Sequence, residues 1–128
     1  MLLGNLNLIG VDGTFSLPND TSEHDLIEIL STEEEPTFLF KINFDMINLV
    51  QNVTFRVYYK VDNVNYRLRY GTNPTGGLGG TMLWTTSDAP WFVVSIQDII
   101  DHDLKVTIQS SINQGSVLDI PWSYNGGR

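Results

Sequence analysis

The sequence has no cysteine, a single alanine (Ala89) and only three lysines among its 128 residues. Without cysteine, the chain cannot form a disulfide framework, a cysteine-based zinc site or a thiol nucleophile. Alanine and lysine favour helices, so their scarcity excludes a helical bundle. Valine, isoleucine, threonine and the aromatic residues together number 46, more than a third of the chain, and these types suit pleated strands. The composition therefore predicts an all-β protein.

Basic residues are also scarce, since 7 lysines and arginines stand against 15 acidic residues and the net charge is −8. A protein that binds nucleic acid or anionic lipid needs a positive patch, so we expect neither nucleic acid nor a membrane as partner. No apolar run approaches the ~18–20 residues that span a bilayer. The first residues, Met1–Asn5, lack the basic region of a signal peptide, and we expect synthesis and assembly in a cytoplasm.

The length of 128 residues fits one domain, because domains commonly hold roughly 100–200 residues. Residues 1–40 contain eight acidic residues and no basic one. We predict a single domain over residues 1–128, with an acidic N-terminal segment at 1–36 and a loose tail at 125–128.

Apolar and polar residues alternate with a period of two along several stretches, which is typical of strands. In one of them, Phe38, Phe40, Ile42, Phe44 and Met46 are expected to face one way. The runs 54–61 and 66–70 are joined by a short asparagine-containing turn and predict a β-hairpin. Residues 20–31 fit either a capped helix or a strand, and Ile27 and Ile29 favour the strand.

Turn signals recur along the chain, including Gly13, the cluster at 18–20 and the polar corner at 98–103. They separate eight to nine short strands, spaced roughly every 8–12 residues, which predicts an antiparallel β-sandwich of jelly-roll-like type. The sequence alone does not choose the strand order.

Catalytic and metal-binding patterns are weak. His24 and His102 each lie between two acidic residues, but neighbours on an extended chain point in different directions and do not form a hydrolase triad. Asp98, Asp101 and Asp103 could offer oxygens to calcium, although their spacing departs from the EF-hand pattern. We therefore predict no enzyme, no cofactor and no metal beyond these weak candidates.

The loop at residues 71–80 is rich in glycine but lacks the Lys–Ser/Thr ending of a phosphate-binding loop. Because glycine loses the most backbone freedom on ordering, we expect a surface loop that only a partner orders. The partner-ordered positions are Gly76, Gly77, Gly79 and Gly80.

Large aromatic residues suggest two alternatives. Trp84, Trp91 and Trp122 with Tyr58 could form a platform on which sugar rings stack, or they could be core and interface residues. We favour the core and interface interpretation.

Charge is unevenly placed along the chain. Four of the seven bases, Arg56, Lys60, Arg67 and Arg69, lie on one face of the predicted hairpin. Like charges side by side are costly unless an acidic segment covers them. We expect residues 20–36, including Glu33, Glu34 and Glu35, to do so, most plausibly from an adjacent subunit. These charged residues are our candidates for a subunit or capsid interface.

Two stretches resemble a known group of proteins. The hairpin (NVTFRVYYKVD at 52–62, NYRLR at 65–69) and the closing strands (DLKVTIQSS at 103–111, GS at 115–116, DIPWSY at 119–124) resemble strands of small all-β proteins from tailed viruses of bacteria and archaea. The resemblance implies a non-enzymatic virion component, either a capsid decoration, cement or turret protein or a tail or fibre module. Such proteins are usually symmetric homo-oligomers.

From this resemblance we expect a homo-oligomer, a trimer ahead of a pentamer, bound to the major capsid protein or another virion protein on the outer capsid. Several copies of one weak contact around an axis add to a firm attachment. The alternative is a carbohydrate-binding module or the receptor-binding tip of a tail fibre.

Overall fold

The structure is a computed structural model that describes residues 8–60, 62, 64–68, 81–88 and 90–127, with 95–98 described by their backbone. Nine β-strands form the fold in these residues. The strands are β1 (Leu8–Leu17), β2 (Glu23–Ile29), β3 (Thr37–Asp45), β4 (Val53–Lys60), β5 (Tyr66–Leu68), β6 (Thr81–Trp84), β7 (Trp91–Ile100), β8 (Leu104–Ser110) and β9 (Leu118–Gly127). The predicted all-β fold is confirmed, and so is the strand favoured within residues 20–31.

The strands form two antiparallel sheets. The first sheet has the order β1-β9-β3-β7, and the second has the order β2-β8-β4-β5. β6 also pairs with β4, and β4 and β5 form the predicted hairpin, with Tyr59 opposite Arg67. The chain changes sheet at almost every connection, so each sheet contains strands that are distant in sequence. The predicted antiparallel β-sandwich is confirmed.

The core lies between the two sheets. Phe55 on β4 is fully buried and meets Phe44 of β3 and Phe92 of β7, with ring centroids 5.0 and 4.8 Å away. Aliphatic side chains from both sheets, among them Leu17 and Val106, complete this layer. Burial of each such side chain contributes about 1.5–3 kcal/mol, and these contacts hold the sheets together.

Strand β3 contains a β-bulge between Leu39 and Lys41. The extra residue shifts the alternation, so Leu39, Ile42 and Phe44 are buried while Phe40 is exposed. The expectation that Phe38 and Phe40 share a face with Ile42 is therefore wrong, because strict period two does not anticipate a bulge.

Both ends of the first sheet differ from the sequence-based expectations. β9 continues to Gly127, and Asn125 and Gly126 pair with β1 and β3, so residues 125–127 are not a loose tail. β7 continues to Ile100, which places Asp98 within a strand rather than in a polar corner. Gly13 lies inside β1, opposite Trp122, and is not a turn. Pairing with neighbouring strands outweighs the weak strand preference of glycine and asparagine.

Within the described ranges, the structure contains no helix that is long and apolar enough to cross a membrane.

Candidate functional site

The second sheet carries a polar network centred on Glu23. Its carboxylate accepts hydrogen bonds from the hydroxyl groups of Tyr58 (2.7 Å) and Thr107 (2.6 Å) and lies 3.4 Å from Arg56 Nη1. Partial burial opposes ionisation of Glu23, but these two hydrogen bonds and the charge of Arg56 outweigh it and lower the pKa of the carboxyl. The network joins β2, β8 and β4.

Two lysines extend this network. Lys60 Nζ lies 3.3 Å from Asp103 Oδ2, and Lys105 Nζ lies 3.3 Å from Asp25 Oδ1. Both ammonium groups also lie over the ring of Tyr66, 4.8 and 4.6 Å from its centroid. Burial, followed by the charge of nearby carboxylates, raises the pKa of Tyr66 to about 12. The ring therefore stays a neutral phenol between two cations.

Two of the four bases on the predicted hairpin face have carboxylate partners within the same chain. Arg56 pairs with Glu23 of the 20–36 segment, whereas Lys60 pairs with Asp103, outside that segment. Both carboxylates come from the same chain, because the strand order brings β2 and β8 beside β4, and the expected contact with an adjacent subunit stays a prediction. Arg67 is exposed on β5.

Several predicted residues lie elsewhere or outside the described part. Glu33, Glu34 and Glu35 are exposed in the loop between β2 and β3. Arg69 and the four glycines predicted to be ordered by a partner lie outside the described residues: Gly76, Gly77, Gly79 and Gly80.

One corner of the molecule brings together Glu33, Asp101 and His102, whose potential ligand atoms all lie within 4.8 Å of one another. His102 is only 7% exposed, and its Nε2 is 3.7 Å from Glu33 Oε1. The hydroxyl of Tyr59 donates to Asp101 Oδ1 and lowers the pKa of that carboxyl. The Tyr59 ring stacks against the imidazole, with centroids 6.3 Å apart.

This cluster differs from the predicted calcium candidates. Asp103 accepts the backbone N–H of Ser31 at 3.0 Å in addition to pairing with Lys60. The side chain of Asp98 lies outside the described part. Sequence reasoning missed Glu33 as a partner of His102, because the two are 69 positions apart and only the sandwich brings their loops together.

The other histidine also has a carboxylate partner. His24 Nε2 lies 2.7 Å from Asp20 Oδ1 at the start of β2, and the same oxygen accepts the N–H of Ser22. The hydrogen bond to His24 is the main reason that the pKa of Asp20 is lowered. The arrangement caps the turn before β2.

The four predicted platform aromatics do not form one platform, although Trp91 and Trp122 line the same groove. Trp84 is buried, Trp122 packs against the core beside Tyr124, and Tyr58 belongs to the other sheet. Trp91 is 63% exposed at the start of β7. The core and interface interpretation thus fits Trp84, whereas Trp122 both packs against the core and lines that groove.

Trp91 forms the wall of an open groove of about 260 Å³ on the first sheet. Its indole N–H donates to Asn43 Oδ1 at 3.2 Å, and Asn43 Nδ2 donates to Ser123 Oγ at 3.3 Å. Lys41 Nζ lies 5.8 Å from the centre of the indole ring. A flat apolar ring beside amide and hydroxyl groups is the kind of surface that binds a sugar.

Exposed apolar side chains lie near both ends of β7 and on the adjacent β3. Trp91, Val93 and Ile99 are exposed on β7, and Phe38 packs edge-on against exposed Phe40, with centroids 4.7 Å apart. Phe38 lies directly opposite Ile99. We call these five residues the β7 strip. The bulge in β3 turns two of the five, Phe38 and Phe40, outwards, which is why the sequence pattern did not reveal the strip.

No protein-family model and no curated protein sequence matches this chain. Two solved structures resemble it in fold. A chain of the acidic stable capsid of Helicobacter pylori bacteriophage KHP30 superposes with a TM-score of 0.56 at 8% identity, covering 96% of this chain and 93% of that one. A chain of the Bacillus endospore appendages, disulfide-linked pili, superposes with a TM-score of 0.53 at 11% identity, covering 99% and 94%. At these identities the likeness shows a shared fold.

Proposed function

We propose that this chain is a non-enzymatic structural component of a virus particle, a decoration, cement or turret protein that binds the outer capsid as a homo-oligomer. The observation that carries the proposal is the β7 strip, an exposed apolar surface on an otherwise well-packed sandwich. Exposed apolar patches on a domain surface are typical of association surfaces. The occupant we assign to the strip is a second copy of this chain.

The fold supports the same proposal. We interpret the strand orders β1-β9-β3-β7 and β2-β8-β4-β5 as a jelly roll, the two-sheet fold of viral capsid and lectin domains. A chain of the phage KHP30 capsid shares this fold over nearly its whole length. The strand motifs that resemble proteins of tailed viruses lie in β4, β5, β8 and β9.

Position in the sheet explains why the β7 strip suits self-association. β7 is the last strand of the first sheet in the described part, so one side of its backbone faces away from the sheet. An edge strand with exposed apolar side chains readily accepts a further strand or sheet. Repetition around a symmetry axis, with a trimer preferred to a pentamer, would then close the assembly.

The capsid contact is a separate part of the proposal. Arg67, exposed on β5, and Arg69 with the neighbouring glycine-rich loop are our candidates for that contact. Arg67 lies on β5 of the second sheet, whereas the β7 strip lies on the first sheet. Such a division would leave one surface for the copies of this chain and another for the virion partner.

Light scattering of the purified protein tests the homo-oligomer. We expect a mass that is a multiple of 14.4 kDa, and Ile99→Ser should shift it towards the monomer. Ile112→Ser is the matched control, because Ile112 is 54% exposed against 57% for Ile99 but lies outside the strip. A wild-type protein that stays monomeric at every concentration, or equal effects of both variants, would overturn this assignment.

A second candidate function, binding of a carbohydrate, is favoured by the groove beside Trp91. The chain would then be a carbohydrate-binding module or the tip of a tail fibre. Calorimetric titration with neutral oligosaccharides tests it, and Trp91→Ala should abolish any heat of binding. Ile99→Ser separates this function from assembly, because Ile99 does not line the groove and its loss should leave sugar binding unchanged.

A further inference from the structure

We propose that Glu33, Asp101 and His102 form a binding site for a divalent transition-metal ion of the zinc type. The site goes beyond the structural role proposed above and stands independently of it. The three side chains come from two separate loops, one between β2 and β3 and the other between β7 and β8. Their potential ligand atoms converge within 4.8 Å.

The spacing suits a metal ion. Zinc binds imidazole nitrogen and carboxylate oxygen at about 2.0–2.2 Å in tetrahedral geometry, which separates neighbouring ligand atoms by about 3.4 Å. The distance from His102 Nε2 to Glu33 Oε1 is 3.7 Å, close to that separation. The side chain of Glu33 is 71% exposed, so it is free to make the small adjustment that remains.

The state of His102 is the second, independent observation. The residue is more than nine-tenths buried, and its Nδ1 has no hydrogen-bond partner among the described residues. Its Nε2 faces the Glu33 carboxylate from 3.7 Å, which is too long for a hydrogen bond. Burial of an imidazole without such a bond is unfavourable. A metal ion between Nε2 and the two carboxylates would give Nε2 the direct partner that Glu33 is too distant to provide, and the proton of the neutral imidazole would then reside on Nδ1.

The surrounding contacts hold the three groups in place. The hydroxyl of Tyr59 donates to Asp101 and orients its carboxylate. Ser31 Oγ donates to the carbonyl of Ile100 at 2.7 Å and accepts the N–H of Thr37 at 2.9 Å, and Asp103 accepts the N–H of Ser31. These bonds tie the loop of Glu33 to the turn of His102. Supporting hydrogen bonds of this kind are typical of metal sites.

The mixture of donors selects the class of metal. Calcium and magnesium prefer sites made of oxygen alone, whereas imidazole favours zinc and its transition-metal neighbours. One histidine and two carboxylates make three protein ligands and leave a fourth position for water or for a group from another molecule. This distinguishes the site from the calcium set predicted from the aspartates at 98, 101 and 103.

Zinc titration followed by calorimetry tests the proposal. We expect one zinc ion per chain, and at least about tenfold weaker binding in Glu33→Gln and in His102→Gln. Glu34→Gln is the matched control, because it removes the neighbouring exposed carboxylate of the same loop and should bind zinc like the wild type. Glu33→Gln keeps the test valid if the buried His102 variant fails to fold.

Two further measurements identify the ligands. Cobalt(II) in place of zinc should give the visible absorption of a tetrahedral site, and Glu33→Gln should lose it. His24→Gln should retain zinc binding, because His24 pairs with Asp20 outside the cluster. The proposal is overturned if the wild type binds no zinc at submillimolar concentration. It is equally overturned if Glu33→Gln binds like the wild type, or if His24→Gln alone abolishes binding.

Discussion

Arg56 on β4 reaches over β8 to Glu23 on β2, with 3.4 Å between Arg56 Nη1 and Glu23 Oε1. On the way it donates to Gln109 Oε1 at 2.8 Å. This ion pair joins the acidic N-terminal segment to the basic hairpin within one chain, although the two are separate in sequence. The pairing is one reason why we propose the β7 strip, rather than the charged face of the hairpin, as the surface for self-association.

Substitution of Glu23 by glutamine should lower the free energy of unfolding by about 1–2 kcal/mol. The variant removes the charge that accepts hydrogen bonds from Tyr58 and Thr107 and pairs with Arg56. Urea denaturation measures the change. Glu34→Gln, at an exposed position, should stay within about 0.5 kcal/mol of the wild type, and an equal loss in both variants would contradict the role of the network.

The lowered pKa of Glu23 predicts how the stability of the fold depends on pH. Burial is outweighed by hydrogen bonds from Thr107 and Tyr58, so the pKa of Glu23 lies below its ordinary value of 4.5. A carboxyl with a lowered pKa stabilises the fold above its unfolded pKa, and this contribution is lost as pH falls through the folded pKa. Hydrogen bonds also lower the pKa of Asp20, Asp62 and Asp101, with the same sign.

We therefore expect the urea concentration at the midpoint of unfolding to decrease as the pH is lowered from about 5 to about 3. The decrease should be smaller in Glu23→Gln than in the wild type. Denaturation curves across this range measure the difference. Parallel pH profiles for the two proteins would show that the folded protein does not lower the pKa of Glu23.

Gly126 tests the position of the C-terminal strand. It lies between β1 and β3, opposite Ile9 and Leu39, and an added Cβ would overlap the carbonyl oxygen of Phe38. Gly126→Ala should therefore destabilise the fold by about 1–3 kcal/mol. Gly10→Ala is the matched control, because nothing lies within 4 Å of a Cβ there. If the two variants are equally stable in urea, residues 125–127 do not form the paired end of β9 and are the loose tail that the sequence predicts.

The sequence predicts those features of the fold that depend on residues close together in the chain. Composition and period-two alternation indicate the all-β class, and the spacing of two strands around a short turn indicates the β4–β5 hairpin. The preference for a strand at Ile27 and Ile29 follows from the same pattern. These features depend on residues close together in the chain, so a single sequence is enough to find them.

The remaining features depend on contacts between distant residues. The bulge at Phe40 turns two phenylalanines outwards, and no local signal marks it. The corner of Glu33 and His102 forms only because Ser31 links two loops far apart in sequence. The end of β9 looks like a tail because Gly126 and Gly127 have little strand preference alone, whereas their pairing partners lie more than 80 residues earlier.

The dependence on salt concentration distinguishes an apolar interface from a charged one. An assembly held by the β7 strip should keep its mass in light scattering from low salt to about 1 M, because apolar burial is not screened. Exposed ion pairs contribute only about 0–1 kcal/mol each, and at 1 M salt the screening length falls to about 3 Å. Attachment to the capsid through Arg67 should weaken over the same range.

The charge variant and the apolar variant then have opposite expected results. Arg67→Glu should leave the mass of the homo-oligomer unchanged, because Arg67 lies on β5 of the second sheet. Ile99→Ser should lower the mass at every salt concentration, because Ile99 lies opposite Phe38 in the strip. If salt dissociates the oligomer and Arg67→Glu does the same while Ile99→Ser has no effect, charged residues hold the subunits together, and the β7 strip belongs to another partner.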